Sequence, residues 1–163
     1  MLLPQLPGVY TLLVSLGHPL IVKPGSLSTL MLKKAEYCYI GSALNGLHRR
    51  LKHHLSPKKR LHWHIDYLLK SAQVSTIYWA NTTTPTECLL ADGLVQLGLP
   101  SIPGFGSTDC RCESHLFFSH TRNVIPACLN RTFGSLGLKL SKFSPTKKSS
   151  HRPSPKTRVH LPS

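Results

Sequence analysis

A small α/β or α+β domain is what this sequence predicts, and two changes of hydrophobic period carry that prediction. Apolar residues cluster over residues 10–14, 20–22 and 37–40 in the short runs typical of strands. Leu44, Leu47, Leu51 and Leu55 then recur at helical spacing, and strand character returns over residues 74–79. A chain of 163 residues that is 40% hydrophobic has room for one domain with a real core.

The elements follow in order. Residues 10–14 and 20–22 read as the strands of a hairpin, turned by Gly17, His18 and Pro19. Residues 37–40 form a third short strand, ended by Gly41. The leucine-striped helix stops at Ser56-Pro57, because the residue before proline is driven out of the helical region. Residues 63–70 read as a second helix with Ile65, Leu68 and Leu69 inward. A third helix opens at Thr84-Pro85-Thr86-Glu87, where threonine as N-cap, proline at the first helical position and glutamate at the third predict a capping box. It runs through Leu89, Leu90, Leu94 and Val95 and ends near Gly98-Leu99-Pro100. A Gly/Ser loop at residues 104–109 leads to a last strand over residues 115–118.

Past residue 121 Lys, Ser, Pro, Arg and Thr dominate, and Phe133, Leu136, Leu138, Leu140 and Phe143 are scattered. The expectation is a folded domain at residues 7–119 followed by a disordered basic tail at residues 121–163. The chain carries 20 Lys+Arg against 6 Asp+Glu, and nine of its +14 net charges fall after Thr121. Such a chain is attracted to polyanions, of which nucleic acid is the commonest.

The first 22 residues are fairly apolar, but Pro4, Pro7, Gly8, Gly17 and Pro19 interrupt them and no cationic region precedes them. Neither a signal peptide nor a spanning helix fits, so no membrane association is expected. Five cysteines, an odd number without a disulfide framework, point to a reducing cytoplasm.

Four ordered blocks carry a family resemblance. Gly8-Val9-Tyr10 and Tyr39-Ile40-Gly41 are followed by Arg50-Leu51, His54 and Glu87. This order resembles the GIY-YIG nuclease superfamily. Residues 39–43, 61–68, 104–112 and 114–117 (YIGSA, LHWHIDYL, GFGSTDCRC and SHLF) extend the resemblance to a branch of unknown function sometimes fused to DNA glycosylase domains. The resemblance covers roughly residues 7–119. It implies a central three-stranded, mostly antiparallel sheet flanked by helices, with Tyr10, Tyr39, Arg50 and His54 catalytic and Glu87 holding Mg²⁺ or Mn²⁺.

The chemistry agrees with those residue types. Phosphodiester hydrolysis needs a deprotonated nucleophile, stabilised charge on the phosphorane and help for the leaving oxygen. A hard cation keeps several of its waters, so one carboxylate can hold it. Arg50 offers a planar fork matched to phosphate oxygens, one helical turn from His54. Tyr10 and Tyr39 would frame the attacking water, with His54, His62 and His64 as competing bases. Structural roles stand beside these: Glu87 as capping glutamate, Tyr39 as core, and Arg50 as part of a solvated basic face with Arg49 and Lys52.

Two further groups stand out. Cys110-Arg111-Cys112 followed by His115 offers three ligands suited to Zn²⁺, with a fourth to come from Cys88 or Asp109; a plain structural loop is the competing reading. Arg49, Lys52, Lys58, Lys59 and Arg60 make a phosphate-tracking surface. The expected function is a metal-dependent endonuclease on structure-selective or weakly sequence-specific DNA, with RNA an open alternative and no small-molecule cofactor. A non-catalytic nucleic-acid-binding module and a zinc-stabilised interaction domain are the competing classes.

Overall fold

The computed structural model describes residues 3–145. Within them a five-stranded antiparallel sheet lies between two helical layers. Its centre is β1 (Gly8–Leu16), with β4 (Ala35–Ala43) on one side and β5 (Val74–Asn81) on the other. The expected three-stranded antiparallel centre is therefore present. Edge strands β6 (Leu116–Ser119) and β7 (Ser141–Phe143) widen it to the order β6-β4-β1-β5-β7.

A central strand covered on both faces must be apolar on both, and β1 is. Tyr10, Leu12 and Val14 face one core with α1 (Leu47–Leu55) and α2 (His64–Leu69). Val9 and Leu13 face a second core with α3 (Glu87–Gln96) and α4 (Val124–Ser135). Cys38 and Ile40 join Val9, while Tyr37 and Tyr39 join Tyr10, so the two-residue period of each strand sorts the side chains between layers.

Three expectations need correction. The first hairpin does not form: β2 (Leu20–Val22) pairs with β3 (Leu30–Leu32) in a separate two-stranded sheet. Both edges of β1 are already occupied by β4 and β5, which leaves no ladder for β2 to join.

The capping box at Thr84 is also absent. Thr86 is the N-cap and Glu87 the first residue of α3, with no side-chain cap bond. The Thr84 N–H is instead taken by Thr82 Oγ1, and the Thr82 N–H is tied to Pro7 O at 3.1 Å. Those bonds hold residues 82–86 as a loop and push the helix start along the chain.

Finally, the folded domain does not end at residue 119. Ile125, Leu129 and Phe133 of α4 are 0% exposed, and β7 pairs with β5. The three apolar residues stand at intervals of four, one face of a helix. Pro126 sits in the first turn of α4, where its missing N–H leaves no helical bond unmade. Of the disordered-tail expectation, residues 146–163 lie outside the described residues.

Helices α3 and α4 approach closely at Gly93, where an added Cβ would lie 2.5 Å from Thr132 Cγ2. No helix among the described residues is long and apolar enough to cross a membrane.

Candidate functional site

The two tyrosines arise from one face of the sheet. Tyr10 on β1 stands opposite Gly41 on β4, and Tyr39 stands opposite Leu12, so both rings project toward α1. Gly41 is required there: its missing side chain makes room for the Tyr10 ring, which lies where a Cβ would be. His54, on the last turn of α1, meets both rings. Its Nε2 is 2.7 Å from the Tyr10 hydroxyl, and its ring is edge-on to Tyr39 at 6.3 Å.

Asp66 sets the state of His54. Its Oδ1 lies 3.3 Å from His54 Nδ1, while Oδ2 accepts from His53 Nε2 at 3.0 Å and from the backbone N–H groups of His62 and Trp63, each at 2.9 Å. Burial alone would raise the Asp66 pKa. The bonds from His54, Trp63, His62 and His53 outweigh it and hold the carboxyl well below the usual carboxylate range. Asp66 is thus ionised and can only accept, so His54 Nδ1 carries the proton and Nε2 is free to accept from the Tyr10 O–H. Burial lowers the His54 pKa against the opposing pull of Asp66, which keeps the ring neutral near pH 7. Tyr10, His54 and Asp66 form a buried hydrogen-bonded relay.

Tyr10 and Tyr39 are both pushed upward by burial, with Arg50 acting in the opposite direction on each. Arg50 is held by its own bond to Ser42 O at 3.0 Å, and its guanidinium lies 4.0 Å over the Trp63 ring. A flat aromatic face under a flat cation fixes its plane. Glu87 is half-buried at the start of α3. Burial raises its carboxyl and the nearby Arg50 charge opposes the rise, yet the described residues show no ion pair for it. Since the helix begins at Glu87 itself, the carboxylate is not consumed as a cap.

The remaining expected residues sort by geometry. His64 Nδ1 accepts the Gly106 N–H at 2.8 Å, so that ring anchors the loop at residues 104–109. His62 is exposed and packs edge-on against Trp63 at 4.5 Å. Arg49, Lys52, Lys58, Lys59 and Arg60 line one open cleft of about 490 Å³. A second cleft of about 340 Å³ shares Arg49 with it and reaches Arg50 and Trp63. Lys59 also donates to His54 O, which places it partly in the structural frame.

Among the described residues, two groups of side chains are close enough to hold a metal ion: Cys88, Cys110, Cys112 and His115, and separately His53, His54 and Asp66. The second is explained by the hydrogen bonds that Asp66 already accepts. Asp66 and the Trp63 platform were not singled out for these roles from sequence. One signal existed, for Asp66 is the only acid between Glu36 and Glu87 and sits among the inward residues Ile65 and Leu68.

The chain belongs to the family described as Domain of unknown function DUF123, whose family model matches residues 9–138. That match takes in α4 as well as the tyrosine, histidine and cysteine groups. No curated protein matches the chain, and no solved structure does.

Proposed function

We propose that this protein is a metal-dependent endonuclease of the GIY-YIG type, hydrolysing phosphodiester bonds in DNA. The observation that carries this reading is the Tyr10–His54–Asp66 relay with Arg50 beside it and, near enough for its charge to act on Tyr10, a Glu87 that has no ion pair among the described residues. A buried tyrosine bonded to a neutral, carboxylate-oriented imidazole has a route for its proton, which a core tyrosine does not need.

In this mechanism Tyr10 takes a proton from the attacking water as it passes its own to His54 Nε2. Asp66 stabilises the imidazolium that results. Such a positioned base contributes about 10²–10⁴-fold. Arg50 spans two phosphate oxygens, already oriented by Trp63 and Ser42 O. The half-buried carboxylate of Glu87 supplies a hard oxygen donor that fits Mg²⁺ or Mn²⁺. When bound, that cation would neutralise charge developing on the phosphate and the leaving oxygen.

DNA would enter along the cleft lined by Arg49, Lys52, Lys58, Lys59 and Arg60, whose cations track phosphates without reading bases. This supports weak sequence preference. The test is nicking of supercoiled plasmid by the purified chain with Mg²⁺ or Mn²⁺ and after chelation. Tight DNA binding with no nicking under any divalent cation would leave a non-catalytic binding module.

A further inference from the structure

We propose that Cys88, Cys110, Cys112 and His115 form a four-ligand Zn²⁺ site that clasps the first turn of α3 to the loop at residues 104–115. The four ligand atoms come from three places in the fold yet all lie within 4.8 Å of one another. Cys88 follows Glu87 on α3, Cys110 and Cys112 sit in the loop, and His115 immediately precedes β6.

The distances suit one central ion. Zinc bonds of about 2.3 Å to sulfur and about 2.0–2.1 Å to nitrogen, at tetrahedral angles, put sulfur about 3.6 Å from nitrogen. His115 Nε2 lies 3.6 Å from Cys110 Sγ and 3.9 Å from Cys88 Sγ. The cysteines are free thiols, and a disulfide would use two of them while leaving the third and the buried His115 ring without purpose. Three sulfurs and one imidazole are a borderline-soft donor set, suited to zinc and unsuited to Mg²⁺ or Mn²⁺. With four protein ligands the site is closed, which makes it structural.

The frame around it is fixed. The His115 N–H donates to Phe105 O at 2.8 Å, and its carbonyl accepts from Ile40 N–H at 2.9 Å. Cys110 closes a turn onto Ser107 O at 3.3 Å, and the Gly106 N–H ties the loop to His64 on α2. Zinc would complete a bridge from α2 through the loop to α3, and the residue next to its ligand Cys88 is Glu87. The ion is therefore a positioning device for the start of α3. Binding releases the protons of the three thiols, so loading weakens at acid pH.

The test is metal content and spectroscopy of the full chain purified under reducing conditions, with no reference to cleavage. One zinc per chain is expected. Cobalt(II) exchanged for it should show thiolate-to-cobalt charge transfer and the intense visible bands of a tetrahedral ion. Cys112→Ser should lower affinity by more than about tenfold, since even outer-shell changes cost that much, while Cys128→Ser should keep the ion. If Cys112→Ser does not fold, protection of the wild-type thiols from alkylation until chelator is added decides the matter. Reduced chain that takes up no zinc from an equimolar solution would overturn the proposal. So would a cobalt spectrum without thiolate bands, which would move the ion to the histidine-rich segment, or a disulfide among these cysteines.

Discussion

The Tyr10 ring occupies the space a side chain at Gly41 would fill: an added Cβ would lie 2.4 Å from the Tyr10 hydroxyl oxygen. The two residues are cross-strand partners, one from each of the tripeptides that suggested the family. Their pairing gives a physical reason for a glycine at that position. Gly41→Ala should expel the Tyr10 ring, break its bond to His54 and cost about 1–3 kcal/mol through overpacking. Thermal melting checks the stability. Added to Tyr10→Phe, the alanine should lower cleavage little further, because both changes remove the same bond.

Asp66→Asn should lower turnover by about 10²–10⁴-fold, since an amide no longer fixes which His54 nitrogen carries the proton. The sign of the pH effects follows from the directions of the shifts. His54 lies below its ordinary 6.5, so it is neutral at pH 7 and cleavage should fall only as pH drops below 6.5. Asp66 raises the His54 value, so Asp66→Asn should move that acid limb to lower pH still. For stability, a carboxyl depressed in the folded state contributes fully above its unfolded value of about 3.9 and loses that contribution as pH falls further. The variant should therefore be less stable than wild type at pH 7, by at least the ~1.5–3 kcal/mol of one charge-assisted bond. The gap should narrow as pH falls below about 3.9 and close only once pH passes below the strongly depressed folded value. Denaturant melts across pH, beside a rate profile, check both.

Arg50→Lys should keep the fold and lose most of the cleavage rate. Lysine retains the charge but not the bidentate fork or the flat stack on Trp63. Turnover should fall further than DNA affinity does, because the fork serves the transition state. Single-turnover kinetics beside binding isotherms separate the two.

Strands β1, β2, β4, β5 and β6 and helix α1 were legible because a two-residue or a 3.6-residue period shows directly in Tyr10–Leu12–Val14 and in Leu47–Leu51–Leu55, whereas β3 and β7, three residues each, were too short to show one. The partner of β2 was not, because pairing depends on which strand edges are already taken. Helix α4 was hidden by Pro126 and by the Ser, Thr and Gly residues around its apolar face, which read as loop composition. At the site, Tyr10, His54 and Glu87 stood in recognisable order. Asp66 did not, since its importance lies in bonds to groups on another helix, which no spacing along the chain reveals.

Truncation sharpens the domain boundary. Removing everything after Ser119 should unfold the chain, since it strips Ile125, Leu129 and Phe133 from a core shared with Leu90 and Leu94. Removing only residues 146–163 deletes five Lys and Arg (Lys147, Lys148, Arg152, Lys156 and Arg158) and should leave cleavage chemistry in place. DNA affinity should weaken, and the slope of log K against log salt should become shallower by roughly 0.7–0.9 for each phosphate that the shortened chain no longer neutralises. Isotherms at several salt concentrations read that slope.

The most direct measurement is single-turnover nicking of supercoiled plasmid by wild type and by Glu87→Gln, at saturating enzyme and matched Mg²⁺ or Mn²⁺. Glutamine keeps the size of the side chain at the start of α3 and removes only its charge. Wild type should nick in a metal-dependent way that chelation abolishes, and the variant should be slower by at least about 10²-fold with DNA binding unchanged. Equal rates for the two proteins at every metal concentration, or wild-type nicking that survives chelation, would contradict a metal held by Glu87.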